Sequence, residues 1–197
     1  DKQRVKIKEE AETKIELDDD EVSLVVEDEK ETKKGIRSIL NKRSHLVLVA
    51  QNQIGLNNLF KLVSDSYREE NYYRYPRVDF EMLRNHSEGI IASSACLGGV
   101  YAGCYWENRD KGEKAILDSM RELTREMVSI FGDRWYGELQ WNNVPEQHSL
   151  NHFIIQVCEE FGVKLISTAD SHYPNPNAWK DRELYKRLGW LGQGRPE

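Results

Sequence analysis

The sequence has few cysteines and no long apolar run, and both shortages exclude classes of protein. Its 197 residues include three Cys at irregular positions and no Cys-x-x-Cys, which excludes the disulfide framework of a small secreted domain. No apolar stretch approaches the roughly 18 residues that span a bilayer, and no signal-peptide pattern opens the chain. We therefore expect a soluble protein in a reducing compartment, with no membrane partner.

Positive charge is also in short supply. The 28 Lys and Arg against 34 Asp and Glu give a formal net charge of -6, with a sequence pI near 5.5. This balance argues against a protein that coats nucleic acid through bulk charge, while a local basic groove stays compatible with it. The chain also has no Gly-rich phosphate loop and no Gly-x-Ser-x-Gly elbow.

The first fifth of the chain differs in composition from the rest. Residues 1–37 hold 13 acidic and 9 basic residues and no His. Only residues 22–26 have the pattern of a strand, so this segment buries little apolar surface. We interpret residues 1–37 as a charged linker or insertion, with an acidic arm that mimics DNA or recruits a partner as the alternative. The chain starts at Asp1 rather than Met, which predicts a fragment or a processed piece.

From His45 onward, patterns of strands and helices alternate along the chain. Short apolar runs predict buried strands at 45–50, 89–96 and 163–168, and a further strand is predicted at 135–141. Strands that alternate with helices at this rhythm predict an α/β fold with a largely parallel sheet or barrel. Four such units are too few for a complete barrel.

The helices between these strands are marked by apolar stripes and by stop signals. Helix 112–131 ends at Gly132, and helix 145–161 begins at Pro145 and ends at Gly162. Asp79 predicts the N-cap of a short helix, and a last helix is expected over 177–188. An earlier helix has an apolar face that we predict from helical spacing at Leu56, Leu59, Phe60 and Val63.

Two side chains that can bind metal follow the last predicted strand. Asp170 and His172 stand one residue apart just after the run 163–168. Residues i and i+2 of an extended backbone point to the same side, and the carboxyl ends of strands carry the chemistry of α/β barrels. Asp-x-His alone is a weak signal, and Asp170 is equally explained as a turn former or a helix cap.

Two further strand ends offer ligand-type side chains. Cys96 closes strand 89–96, and His45 heads strand 45–50 at its amino end. Imidazole, thiolate and carboxylate together suit zinc, and also iron or manganese in a mixed site. A small buried residue is the alternative for Cys96, and a strand-edge histidine bonded to backbone is the alternative for His45. His45 is the weaker member, because an amino end does not fit a simple carboxyl-end site.

The other candidates carry weaker signals. His148 and His152 have a metal-compatible i, i+4 spacing, but the apolar stripe of their helix predicts that both face solvent. The loop 72–77 combines aromatic and basic side chains that could stack on and clamp a nucleic-acid strand. Its candidate residues are Tyr72, Tyr73, Arg74 and Arg77. Packing of these aromatics against the domain is the alternative interpretation.

Several long segments, in one order, resemble a known family. They are 44–64 (SHLVLVAQNQIGLNNLFKLVS), 72–79 (YYRYPRVD), 87–99 (SEGIIASSACLGG), 131–140 (FGDRWYGELQ), 144–147 (VPEQ) and 167–173 (STADSHY). Together they resemble the PHP (polymerase and histidinol phosphatase) domain family, and within it the PHP domains of bacterial DNA polymerase III alpha subunits. The charged stretch before His45 is more similar to phage-encoded versions.

The resemblance implies a distorted (β/α)7 barrel with a cluster of metal ions in its mouth. The later ligands of the family fall on His45, Cys96, Asp170 and His172. Zinc or manganese is the implied cofactor, with magnesium and iron as alternatives. The implied chemistry is hydrolysis of phosphoesters, as a 3′–5′ proofreading exonuclease in some polymerases. In others the domain is a metal-poor scaffold that docks an exonuclease subunit or DNA, and a stand-alone phosphoesterase is a weaker alternative.

The chain also departs from the family pattern. The His-x-His strand, the Asp-His-Gly turn and the Glu of a third strand, which open the family, do not occur in it. We therefore expect residues 38–197 to be the carboxyl-terminal portion of a PHP domain, a partial barrel that lacks its first strands and is inactive alone. The expected partners are the rest of the PHP domain and polymerase, DNA through that polymerase, and an exonuclease subunit. The expected location is the cytoplasm of a bacterial or phage-infected cell.

Overall fold

Strands and helices alternate along the chain, as the sequence pattern predicts. The computed structural model describes residues 43–72 and 75–192, nearly all of them in the unit Ser44–Glu197. Its strands are β1 (Val47–Ala50), β2 (Ile90–Ser93), β3 (Trp135–Gln140) and β4 (Lys164–Thr168). Its helices are α1 (Gln53–Ser66), α2 (Phe80–Asn85), α3 (Val100–Asn108), α4 (Glu113–Phe131), α5 (Pro145–Phe161) and α6 (Trp179–Gly192). The fold is mixed α/β, consistent with the expected partial barrel.

The four strands form one mixed sheet in the order β1-β2-β3-β4. Strands β2, β3 and β4 run parallel, with Ala92 opposite Trp135 and Gly137 opposite Leu165. Strand β1 instead pairs antiparallel with β2, so its amino end lies beside the carboxyl end of β2. His45, at the amino end of β1, therefore lies on the same side of the sheet as the carboxyl end of β2. The prediction that His45 stands at the wrong end of the sheet is wrong, since β1 runs opposite to the other strands.

The core lies between the sheet and the helices α3, α4 and α5. The stripes predicted for the two long helices are confirmed, since Met120, Met127 and Phe131 of α4 and Ile154 and Val157 of α5 are buried. Both helices end at the predicted glycines, Gly132 and Gly162. The predicted cap of α2 is also observed, because Asp79 Oδ1 accepts a hydrogen bond from the Met82 amide at 2.8 Å. Helix α3 had not been predicted as an element.

The apolar face predicted for α1 is confirmed at Leu59, which is partly buried against the core, but it is wrong at Leu56, Phe60 and Val63, which are exposed. Phe60 is 62% exposed and Val63 is 57% exposed, whereas Asn58 and Leu62 are buried. The rotation of this helix is set by its backbone contact with Gly89 at Gly55 and by the hydrogen bond from Asn58 Nδ2 to the Glu88 carbonyl at 2.9 Å. A close backbone approach, which favours small and polar residues, thus outweighs the burial of the larger apolar side chains.

The first and last strands are less buried than predicted. Val47 and Val49 of β1 are 42% and 52% exposed, and Leu165 of β4 is 39% exposed. Each of these strands stands at an end of the described sheet and pairs with only one neighbour there. An apolar run therefore identified the strands correctly but did not show whether a further layer covers them.

Some of the predictions fall outside the described residues. These are the strand at 22–26, the charged linker or insertion 1–37, and the side chains Tyr73 and Arg74. Within the part of the chain that the structure describes, no helix is both long enough and apolar enough to cross a membrane.

Candidate metal centre

A pocket of about 380 Å³ opens where β2, β3 and β4 reach their carboxyl ends. Three of the four predicted ligands, His45, Cys96 and Asp170, contribute to its lining. They come from separate segments, before β1, after β2 and after β4. The sheet topology thus brings together side chains that are up to 125 residues apart in the sequence. His172, the fourth predicted ligand, does not belong to the pocket lining.

His45 reaches this pocket through backbone pairing with the loop after β2. Its amide donates to the Gly98 carbonyl at 2.8 Å, and His45 forms an isolated parallel bridge with Gly99. The ring Nδ1 lies 3.5 Å from Cys96 Sγ, which also accepts a hydrogen bond from the Gly98 amide at 3.4 Å. An imidazole nitrogen and a sulfur, two good zinc ligands, are therefore neighbours.

Asp170 and His172 meet in an irregular segment after β4 rather than along an extended strand. Strand β4 ends at Thr168, and Asp170 has a φ of 49°. The His172 Nδ1 lies 2.6 Å from the Asp170 carbonyl oxygen and 3.9 Å from its Oδ1. The two side chains are close together, as predicted, but the extended-backbone reason given for it is wrong.

Backbone strain is concentrated at the rim of the pocket. Ala95 and Asp170 are the only non-glycine residues with positive φ in the described part of the chain, at 61° and 49°, and both line the pocket. This left-handed conformation is unfavourable for residues with a Cβ, and it persists where the surroundings enforce it, often at functional sites. The strain marks the ends of β2 and β4 as shaped loops rather than simple strand ends.

The ligand-type side chains form two pairs around the pocket, His45 with Cys96 and Asp170 with His172. Among residues 43–72 and 75–192, no three His, Cys, Asp or Glu side chains converge closely enough to hold a metal ion. The donor chemistry of imidazole, thiolate and carboxylate nevertheless suits zinc or manganese. The assignment of these four residues as ligands stays a prediction.

Sequence reasoning missed two polar residues of β3, Glu138 and Gln140, which line the pocket and are 5% and 2% exposed. The available signal was their alternation along a predicted strand, which places both on the face opposite to Leu139. Burial alone raises the pKa of the Glu138 carboxyl, but hydrogen bonds from Ser93, Thr168 and Gln140 outweigh burial and hold the pKa below its ordinary value.

The lowered pKa means that Glu138 is ionised at neutral pH. Its ionised form contributes stability above the ordinary pKa of a glutamate, and this contribution is lost as the pH falls through the lowered pKa of the folded state. The pocket floor therefore carries a negative charge under physiological conditions.

The remaining candidates lie away from this pocket. Tyr72 stacks on Tyr67 with ring centroids 6.0 Å apart, and both rings are exposed, so nucleic-acid binding by this residue stays a prediction. Arg77 is half-buried. His148 and His152 are exposed on α5, as predicted.

Cys158 provides a contrast to Cys96 that predicts selective thiol chemistry. It is fully buried, and burial raises the pKa of its thiol to about 11. Because the thiolate is the nucleophile, we expect iodoacetamide at pH 8 to alkylate Cys158 of the native chain at least about 100-fold more slowly than Cys96, which is partly exposed. Peptide mapping by mass spectrometry checks this, and equal rates for the two cysteines would contradict the burial of Cys158.

Comparisons with known proteins identify the family to which the chain belongs. A family model described as "PHP domain" matches residues 2–142. The DNA polymerase III subunit alpha of Aquifex aeolicus is 41% identical over 149 residues, which are 75% of this chain and 12% of the relative. The DNA polymerase III subunit alpha of Helicobacter pylori strain J99 is 38% identical over 146 residues, which are 73% of this chain and 12% of the relative. The DNA polymerase III subunit alpha of Thermus aquaticus is 36% identical over 129 residues, which are 66% of this chain and 10% of the relative. The chain thus spans about an eighth of the length of the first two relatives.

Proposed function

Because this chain belongs to the PHP domain family, we propose that it supplies part of the metal site with which the PHP domain of a replicative DNA polymerase hydrolyses phosphoesters. The chain is homologous to DNA polymerase III alpha subunits. The proposed substrate is the 3′ end of single-stranded DNA, and the reaction is 3′–5′ exonucleolytic hydrolysis. The context is the replication machinery of a bacterial or phage-infected cell, with DNA bound through the polymerase.

The composition of the pocket lining carries this proposal. His45, Cys96 and Asp170 approach one pocket from three segments, and no Lys or Arg belongs to its lining within the described residues. A phosphate group in this pocket would meet the negative charges of Glu138 and Asp170, which repel it. Bound cations remove this conflict, because they neutralise the carboxylates and attract the phosphate.

Each predicted ligand has a chemical role in such a site. His45 offers an imidazole nitrogen and Cys96 a thiolate, a combination that favours zinc, while Asp170 offers the carboxylate oxygen that manganese or magnesium prefers. The Nδ1 of His172 is hydrogen-bonded to the Asp170 carbonyl, which leaves Nε2 available to bind a metal ion. When bound, the cations supply a water of lowered pKa and stabilise charge on the phosphate in transit.

Cation binding by the purified chain tests the proposal. We expect the wild-type chain to retain or take up zinc or manganese, and Cys96→Ser and His172→Ala to bind it at least about tenfold more weakly, since the loss of even an outer partner of a ligand has an effect of this size. His148→Ala, an exposed histidine of α5, is the matched control and should bind like the wild type. Metal analysis after dialysis, followed by titration, provides the measurement, and a wild-type chain without stoichiometric cation would contradict the proposal.

One observation favours a second function, that of a scaffold which docks an exonuclease subunit or DNA. The four predicted ligands form two pairs rather than a group of three or more within the described residues. A metal-poor scaffold has no need for such convergence. The same titration decides between the two functions, because only the scaffold is compatible with a wild-type chain that binds no cation.

A further inference from the structure

Glu138 carries a buried charge that is bonded only to neutral groups. Its carboxylate accepts hydrogen bonds from Ser93 Oγ at 2.5 Å, from Thr168 Oγ1 at 2.6 Å and from Gln140 Nε2 at 3.1 Å. None of the ion pairs in the described part of the chain includes Glu138. The hydrogen bonds stabilise the carboxylate, but buried charges in proteins are generally also paired with an opposite charge or coordinated to a metal, and Glu138 has no such partner among the described residues.

Gln140, which is hydrogen-bonded to Glu138, has a buried acceptor without a partner among the described residues. Its Nε2 donates to Glu138 Oε1 and, at 3.4 Å, to Thr168 Oγ1. The side-chain Oε1 is buried and has no hydrogen-bond partner among the described residues. A flipped amide would turn this oxygen toward the Glu138 carboxylate, so the hydrogen bonds fix the orientation shown. An unpaired buried acceptor destabilises a protein until a donor reaches it.

Glu138 and Gln140 both face a pocket, from which a cation and a hydrogen-bond donor could reach them. Glu138 and Gln140 both line the pocket that His45, Cys96 and Asp170 border. Gln147 carries a similar unpaired Oε1, but it lies on α5 and does not line this pocket. Among the described residues, Gln140 is the one at which an unpaired buried oxygen belongs to a pocket-lining side chain beside a buried carboxylate without an ion-pair partner.

We propose that Glu138 and Gln140 form the floor of a divalent-cation site and position its hydration water. The charge of Glu138 offsets the charge of the cation, and Gln140 Oε1 accepts a hydrogen bond from a water that the cation carries. Glu138 in turn holds the Gln140 amide in the required orientation. This inference rests on the proposed metal site, and it adds two residues that do not belong to the four predicted ligands.

Two substitutions of similar size separate this role from a purely structural one. Gln140→Met removes the unpaired oxygen together with the amide group that donates to Glu138 and Thr168. Glu138→Gln removes the charge while it keeps the length and shape of the side chain. If these residues only hold the sheet together, the variants lose stability without cation and bind cation like the wild type. If they serve the cation, we expect melting temperatures in chelator within about 5 °C of the wild type and Mn²⁺ affinities at least about tenfold lower.

The experiment is a calorimetric titration of the chelator-treated chain with Mn²⁺, combined with thermal unfolding in chelator. Gln147→Met is the matched control, since it removes the same kind of oxygen outside the pocket, and it should bind Mn²⁺ like the wild type. Affinities of Gln140→Met and Glu138→Gln within about twofold of the wild type would overturn this inference alone, as would an equal loss in Gln147→Met. A wild-type chain that binds no Mn²⁺ would overturn the proposed metal site together with it.

Discussion

Replacement of Trp135 by alanine is expected to lower the free energy of unfolding by about 3–5 kcal/mol. Trp135 is the largest fully buried side chain in the described core, at 1% exposure. Its Nε1 donates to the Tyr101 hydroxyl at 3.2 Å, and the two rings meet edge to face with centroids 5.7 Å apart. The variant would lose this apolar burial and would leave a cavity where β3 meets α3 and α4.

Trp135 is also connected to α4 through a series of buried hydrogen bonds. The Tyr101 hydroxyl lies 2.8 Å from Thr124 Oγ1, which donates to the Met120 carbonyl at 2.7 Å. Burial raises the pKa of Tyr101 far above its ordinary value, so its neutral hydroxyl connects α3 with α4. The loss of the indole donor therefore weakens a contact between two helices as well as the packing on β3.

Trp141 is the matched control for this prediction. It lies just after the same strand but is 63% exposed, and its Nε1 donates to Ser167 Oγ at 2.7 Å. We expect Trp141→Ala to lower the free energy of unfolding by less than about 1 kcal/mol. Urea unfolding followed by circular dichroism measures both variants, and equal losses would contradict the core assignment of Trp135.

The elements that could be predicted from the sequence are those whose signal is local. In α4 and α5 the apolar residues recur at helical spacing over four or more turns, and a glycine follows the carboxyl end of each helix. Asp79 caps α2 through a contact between residues three apart. Such signals depend on neighbours in the chain, so they survive whatever the tertiary structure is.

The position of His45 could not be predicted because it depends on a distant pairing. The sequence of residues 45–50 does not indicate that β1 runs antiparallel to β2, yet this direction places His45 beside Cys96. The assumption of a parallel sheet, which is sound for β2, β3 and β4, fails at the one strand that matters for this ligand.

Glu138 and Gln140 were missed for a different reason. Polar residues at alternate positions of a short strand are typical of a solvent-exposed face, and the sequence WYGELQ fits that pattern. Their burial follows from the neighbouring strands, which supply Ser93 and Thr168 as hydrogen-bond donors. A strand face whose polar side chains form hydrogen bonds within the protein has the same sequence pattern as a face exposed to water.

Gly55→Ala is expected to lower the free energy of unfolding by about 3 kcal/mol, as overpacking against a rigid neighbour does. A Cβ on residue 55 would overlap the Gly89 carbonyl group and lie 3.3 Å from Gly89 Cα. Gly89 has a φ of 69°, and its carbonyl accepts the Gln51 amide at 2.8 Å. Because these are backbone atoms, no change of side-chain rotamer can relieve the overlap.

The contact at Gly55 also supports the candidate site, because Gly89 lies just before the strand that pairs with β1. Gly89 precedes the pair Ala50 and Ile90, the first in the antiparallel register that carries His45 to the pocket. Gly189→Ala in α6 is the control, since nothing lies within 4 Å of its added Cβ and a helical alanine is favoured over glycine by about 0.5–1 kcal/mol. Urea unfolding of both variants gives the comparison. A loss below about 1 kcal/mol in Gly55→Ala would show that the loop before β2 moves freely, and the placement of His45 would then need a support other than this backbone contact.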